Sequence, residues 1–341
     1  MIYKKWLRPL LFRFDAEKVH NLAAKGLNNP IFRAGKQSLS ALKQKPNPVQ
    51  VMGLSFPNRL GMAAGFDKNG DYIHGLAALG FGFIETGTVT PKAQEGNPKP
   101  RLFRLPQDKA VINRMGFNNK GVHYLRANLE KRPPGVIIGG NIGKNKVTPN
   151  EQAVDDYVYC LNELRECVDY FTINISSPNT PDLRQLQDRA PLHRLLNRLQ
   201  EVNAGFNRPR PLLVKIAPDM DKAYLDDVLE VLTENKITGI IATNTTVTRD
   251  GLRSSSQLIQ ENGGLSGRPL EKKSNEMIAY IRAHGSLTII GVGGVFTGAD
   301  MVAKIKAGAH LVQMYTGLIY EGPLAVRRIL DYVNDRSEFN R

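Results

Sequence analysis

Disulfides, membrane spans and metal clusters are all missing from this sequence. Its 341 residues include two cysteines, Cys160 and Cys167. Seven apart in a probable helix, their Cα atoms sit about 10 Å apart at roughly 1.5 Å of rise per residue, too far for a disulfide. A reduced, cytosolic protein is therefore expected. No apolar run approaches the roughly 18 residues that span a bilayer, and no signal peptide with a cleavage site is visible. The six histidines do not fall just after predicted strands. No Gly-x-Ser-x-Gly elbow occurs and no metal-ligand spacing stands out, so neither a serine-hydrolase triad nor a metal site is expected.

Acidic residues are scarce, 32 against 46 Lys+Arg, for a net charge of +14. The imbalance is local. Residues 1–46 hold ten Lys/Arg against Asp15 and Glu17, a net +8, while the remaining 295 residues carry only +6. Such a segment is drawn to an anionic surface, either lipid headgroups or nucleic acid, and a solvated basic face is the plain alternative. Within it Tyr3, Trp6, Leu7, Leu10, Leu11 and Phe14 share one helical stripe, and Val19, Leu22, Ala23, Gly26 and Leu27 form a second. Asp15 suits an N-cap, with Phe14 and Val19 as a hydrophobic staple. Pro9 starts or kinks the first helix. Two short amphipathic helices result, suited to a membrane surface or to capping a core.

A polar stretch at 43–48 reads as a linker, dividing residues 1–46 from 47–341. Beyond it, eight apolar runs have the look of buried parallel strands: 59–64, 82–86, 136–141, 171–175, 212–216, 239–243, 287–292 and 310–315. Helical patterns lie between most of them, as at 221–235 and 298–307. Eight β/α units in this length predict an α/β fold, the (β/α)8 TIM barrel, preceded by the two-helix extension. A doubly wound sheet is the competing architecture, but the loop after the first strand, Ala64-Gly65-Phe66-Asp67-Lys68, is no Gly-x-Gly-x-x-Gly turn. The long gaps at 87–135 and 246–286 predict insertions over the barrel mouth. Only 338–341 looks frayed.

In such a barrel, function gathers at the strand C-termini. There the sequence sets a run of polar residues: Lys68, Asn113, Asn141, the loop Asn174-Ile-Ser-Ser-Pro-Asn-Thr, Lys215, and Asn244-Thr245. Gly291, Gly293 and Gly294 follow the seventh strand, and Tyr315-Thr316-Gly317 the eighth, where barrels bind phosphate through backbone N–H groups. Asn113, Asn174, Asn179 and Asn244 each offer a donor and an acceptor, enough to read the edge of a pyrimidine-like ring without adding charge. Taken singly each is an ordinary turn residue. Lys68 suits a carboxylate. Lys215 interrupts an apolar strand, so it needs an anion beside it, as a Schiff-base nucleophile or as a cation near an anionic cofactor. Ser177 could be a nucleophile, a base or a cap.

Seven blocks in one order carry a resemblance: Ala-Ala-Gly-Phe-Asp-Lys (63–68), Glu-Thr-Gly-Thr-Val-Thr-Pro (85–91), Asn-Arg-Met-Gly-Phe-Asn-Asn (113–119), Asn-Ile-Gly-Lys-Asn (141–145), Asn-Ile-Ser-Ser-Pro-Asn-Thr (174–180), Ala-Thr-Asn-Thr-Thr (242–246) and Gly-Gly-Leu-Ser-Gly-Arg-Pro (263–269). With them the chain resembles the class 2, quinone-dependent dihydroorotate dehydrogenases over about residues 2–333. The resemblance implies FMN as cofactor, held by Ala64, Gly65, Phe66, Asp67, Lys68, Thr88, Asn141, Asn174, Lys215, Thr243, Gly267, Gly294, Tyr315 and Thr316. It implies that Lys215 stabilises negative charge on the flavin. Dihydroorotate or orotate would lie among Lys68, Asn113, Arg114, Met115, Gly116, Phe117, Asn174, Asn179, Asn244 and Thr245. Ser177 matches the catalytic base, where class 1 relatives carry cysteine.

The same resemblance makes the extension a quinone tunnel facing the membrane, with His20 and Arg104 along it. It implies peripheral attachment to the anionic cytoplasmic face of the cell (inner) membrane, a membrane quinone as partner, and no nucleic acid. Ala16 stands where the family often has proline after the aspartate, and Thr316 where a relative has serine. A flavin-free barrel lyase or isomerase, or a nucleic-acid binder using the basic segment, are the alternatives from other classes. On this reading, removing residues 1–46 should stop quinone reduction yet spare oxidation of dihydroorotate.

Overall fold

The structure is a computed structural model that describes residues 2–27, 29 and 47–336. Most of the 43–48 linker and the 338–341 tail lie outside these residues. Eight strands close a parallel barrel: β1 (Leu60–Met62), β2 (Phe83–Val89), β3 (Ile137–Ile142), β4 (Tyr170–Asn174), β5 (Leu212–Ile216), β6 (Gly239–Ala242), β7 (Thr288–Val292) and β8 (Leu311–Met314). Each pairs in parallel with the next, and β8 returns to β1. All eight expected strands are present, and the (β/α)8 barrel stands. β2 runs further than its apolar run, through Thr86–Val89, and its pairing with β3 shifts register between Gly87 and Val89.

Helices cover the outer face. Lys222–Glu234 starts where Asp221 accepts the Tyr224 N–H at 2.8 Å, and Gly298–Ala307 where Thr297 and Asp300 form a capping box. Cys160 lies in the helix Ala153–Leu164 and Cys167 beyond its end; both are buried free thiols. The barrel interior is filled by size matching: a Cβ on Gly61 would come within 2.4 Å of the Phe83 ring, and one on Gly139 within 2.3 Å of Tyr170. The hairpin Val49–Val51 and Leu54–Phe56 packs against this inner apolar layer.

The two expected insertions meet. Leu102–Leu105, Ala110–Asn113 and Gly264–Gly267 build one antiparallel three-stranded sheet. The N-terminal segment forms a wide π-type turn at Tyr3–Leu7 that continues as Arg8–Leu11 with Pro9 in its first turn, then the helix Ala16–Leu27, whose Lys18 N–H is capped by Asp15 at 2.8 Å. Tyr3 donates to the Ile319 carbonyl at 2.5 Å and Arg8 to that of Tyr320 at 3.0 Å. Among the described residues no helix is long and apolar enough to cross a membrane. Trp6, Leu10, Phe14 and Leu22 are all more than half exposed.

Candidate active site

Alternation along a strand decides which side chains face the barrel axis. On β5, Leu213 belongs to the inner apolar layer, while Leu212, Val214 and Ile216 pack outward under the helices. Lys215 therefore points inward. By the same rule Glu85 stands above Phe83, Gln313 above Leu311, and Asn174 above Tyr170 and Thr172. The barrel thus has an apolar lower layer and a polar upper one.

The upper layer is one hydrogen-bonded network. The Glu85 carboxylate accepts from Asn141 Nδ2 at 2.8 Å, Gln313 Nε2 at 2.7 Å and the Tyr170 hydroxyl at 3.2 Å. Asn141 Oδ1 in turn accepts from Thr88 Oγ1 at 2.5 Å and from Asn174 Nδ2 at 3.2 Å. Lys215 is 6% exposed and, among the described residues, has no hydrogen-bond or ion-pair partner. Burial lowers its pKa, and the charge of Glu85 opposes that shift. A buried ammonium left without a partner calls for an anionic or electron-rich ligand.

Above this layer opens a cavity of about 250 Å³. Of the site residues expected from the sequence, all but Asn141, Arg114, Arg104 and Gly291 line it, and Gly291 lies within β7 rather than after it. Ser177 and Lys215 thus share one chamber although they come from different β/α units. Ser177 is 6% exposed, and its Oγ accepts the Asn179 N–H at 3.2 Å. Asn179 Nδ2 donates to Asn113 Oδ1 at 3.3 Å, and Asn244 Nδ2 to Ser176 Oγ at 3.0 Å. Lys68 Nζ is tethered to the Gly65 carbonyl at 2.8 Å, and burial with the nearby Arg101 charge lowers its pKa to about 8.

At the cavity's other end Gly267, Gly293 and Gly294 adopt φ of 104°, 117° and 75°, values that only glycine takes without strain. Side-chain hydroxyls of Ser266 and Thr316 meet there at 2.8 Å. Tyr315 stands beside Phe66, ring centroids 5.8 Å apart, and Phe66 beside His20 at 4.8 Å. Burial raises the Tyr315 pKa to about 12, and it lowers that of His20 to about 4 with help from the Lys68 charge.

Several positions differ from the sequence expectation. Asn113 does not follow a barrel strand; it ends the insertion strand Ala110–Asn113 and reaches the cavity from that sheet. Arg114 turns away to Glu261 at 2.6 Å and lies 4.6 Å over the Phe103 ring. Asn141 sits behind the wall, in the Glu85 network. Asp67 spends its carboxylate on the Asp71 and Tyr72 N–H groups, 2.8 Å each, and burial raises its pKa to about 6. Arg104 binds the Leu11 and Phe14 carbonyls and stacks over Phe12, off the cavity wall. Sequence reasoning missed Glu85, Gln313 and Ser266. The first two were detectable by the test that found Lys215, a polar residue inside an apolar strand.

The fold and this chamber define a (β/α)8-barrel enzyme with a buried cation beneath a ring of amides. The chain matches the family described as dihydroorotate dehydrogenase over residues 48–336. It is 51% identical to the dihydroorotate dehydrogenase (quinone) of Christiangramia forsetii, over 96% of this chain and 97% of that one. It is 49% identical to the enzyme of the same name from Saccharophagus degradans, covering 96% and 98%. Among solved structures, the ferulenol complex of DHODH from Eimeria tenella superposes with a TM-score of 0.86 at 36% identity, covering 96% of this chain and 93% of that one. This chain belongs to the dihydroorotate dehydrogenase family, in its quinone-dependent class, as the seven sequence blocks implied.

Proposed function

We propose that this protein oxidises (S)-dihydroorotate to orotate in de novo pyrimidine (UMP) biosynthesis, with FMN as cofactor and a membrane quinone as final acceptor. The observation that carries the reading is the single chamber in which Lys215, Ser177, Lys68 and the asparagines converge. FMN fits the residues present: the unpartnered buried Lys215 suits its electron-rich ring, and Gly267, Gly293, Gly294 and the Ser266–Thr316 hydroxyls suit its phosphate. Ala64, Gly65, Thr88, Asn174, Thr243 and Tyr315 line the space between. When bound, FMN supplies a two-electron acceptor for the hydride from C6 of the substrate and hands the electrons on to quinone.

Ser177 Oγ would take the proton from C5 as its own hydroxyl proton is passed on to solvent, while the C6 hydride leaves to the bound FMN, so that the C5–C6 double bond forms. A serine hydroxyl is a weak base; it depends on positioning and a dry pocket. The Asn179 N–H supplies the positioning, and burial of Ser177 excludes water. Lys68 holds the substrate carboxylate. Asn113, Asn174, Asn179 and Asn244 read the ring's N–H and C=O groups, and Thr245 adds a hydroxyl. Asn141, itself held by Glu85, orients the Asn174 amide from beneath.

Residues 1–46 form the quinone- and membrane-facing unit, and 47–341 the catalytic barrel. The +8 charge and the exposed Trp6, Leu10, Phe14 and Leu22 support peripheral attachment to the anionic cytoplasmic face of the cell (inner) membrane. His20 and Phe66 link that unit to Tyr315 in the chamber. The test is Ser177→Ala. It should purify with full flavin content yet oxidise dihydroorotate roughly 10²- to 10⁴-fold more slowly; wild-type turnover in that variant removes the assignment of the base.

A further inference from the structure

The N-terminal helix does more than face outward. Glu17, on Ala16–Leu27, is buried at 8% exposure and chelates the equally buried Arg101, Oε2 to Nε at 3.1 Å and Oε1 to Nη2 at 2.7 Å. The third guanidinium nitrogen of Arg101, Nη1, donates to the carbonyls of Glu95 at 2.6 Å and Asn97 at 2.8 Å. Asn97 then holds two residues of the chamber wall, Met115 and Asn179. Its backbone N–H binds the Met115 carbonyl at 3.0 Å, and its Nδ2 binds the Asn179 carbonyl at 3.1 Å. The Asn179 N–H is the donor to Ser177 Oγ. An unbroken series of contacts thus joins the N-terminal helix to the proposed base.

We propose that Glu17 is a positioning residue for the dihydroorotate half of the reaction, coupling the docked N-terminal helix to the substrate loops through Arg101 and Asn97. The inference rests on the functional reading above and deepens it. Two physical effects support it. Arg101 is fixed bidentately by Glu17, so the loop carbonyls it holds are fixed with it. Arg101, Glu17, Asp67 and His20 are also the charged or titratable groups facing Lys68, and the negative charge of Glu17 offsets that of Arg101 there. Losing Glu17 removes the larger of the two negative charges, Glu17 and Asp67, that offset Arg101 at Lys68, which disfavours protonation of Lys68.

This proposal predicts, against the expectation from the sequence, that removing residues 1–46 also impairs dihydroorotate oxidation. The experiment uses the full-length holoenzyme, with orotate affinity measured across pH and dihydroorotate KM measured at saturating quinone. Glu17→Gln should weaken orotate binding roughly 3- to 30-fold, the range for residues acting through a contact network. It should also move the alkaline fall in orotate affinity to lower pH, a shift that loss of packing alone does not produce. Arg101→Lys keeps the charge but, with three donors on one nitrogen, cannot reproduce the bidentate carboxylate contact together with both carbonyl contacts. It should raise dihydroorotate KM with kcat largely retained. Wild-type orotate affinity and pH midpoint in Glu17→Gln, or wild-type KM in Arg101→Lys, overturns the proposal. Failure of the wild-type flavin to be reduced by dihydroorotate would instead sink the functional reading.

Discussion

The barrel mouth and the N-terminal helices both present polar groups to one chamber, but different forces hold them. In the barrel, backbone ladders set the direction of every inward side chain, so Glu85, Lys215 and Gln313 cannot turn without breaking strand pairing. Among the described residues, the N-terminal helices have no ladder to the rest of the molecule. They are tied by Tyr3 to Ile319, Arg8 to Tyr320, Lys4 to Glu321, Arg104 to the Leu11 and Phe14 carbonyls, and Glu17 to Arg101. A region fixed by side-chain charges responds to pH and salt where a region fixed by strands does not. The substrate loops stand between the two, since they hang on the barrel and are held by Arg101.

Breaking the barrel side of this contrast should have the larger effect. Lys215→Met removes the buried cation beneath the proposed flavin. Losing a charge-assisted contact of about 1.5–3 kcal/mol predicts roughly 10- to 150-fold weaker FMN retention, read by flavin titration of the stripped protein. Retention equal to wild type would mean that Lys215 does not face the cofactor. Next comes the substrate end. Lys68 has a pKa near 8 in place of 10.5, so its charge is present below that pH and lost above it. Orotate affinity should hold at neutral pH and then fall by up to about tenfold per pH unit beyond 8, the limit for one required proton. An affinity flat to pH 10 would detach Lys68 from the carboxylate.

The smallest effect belongs to the helices. Docked His20 has a pKa of about 4 against an ordinary 6.5, so the undocked state takes up a proton first as pH falls. Docking stability is complete above pH 6.5 and declines as pH drops towards 4. Hydrogen exchange in Ala16–Leu27 should therefore accelerate over that window while β5 and β8 stay protected. Equal acceleration in both regions would erase the distinction between them.

What the sequence displayed follows the same division. Eight strands were legible because each is buried on both faces and reads as a plain apolar run, and Lys215 was legible as the exception within one. Glu85 and Gln313 carry the same signature in Phe83–Val89 and Leu311–Met314 but lack the positive charge that drew attention to Lys215. Asn113 was placed at the right chamber for the wrong reason, since its strand pairs with Gly264–Gly267, a partner about 150 residues further on. The Glu17–Arg101 pair left no trace at all. Nothing local marks two charges 84 residues apart as partners, and an acidic residue early in a basic helix reads as an ordinary first-turn glutamate.

The proposed convergence of Ser177, Lys68 and Lys215 on one flavin is tested most directly by an anaerobic visible spectrum of the purified full-length protein. Addition of dihydroorotate should bleach the oxidised-flavin bands, and a quinone should restore them. A colourless protein, or flavin bands that dihydroorotate leaves intact, would contradict it.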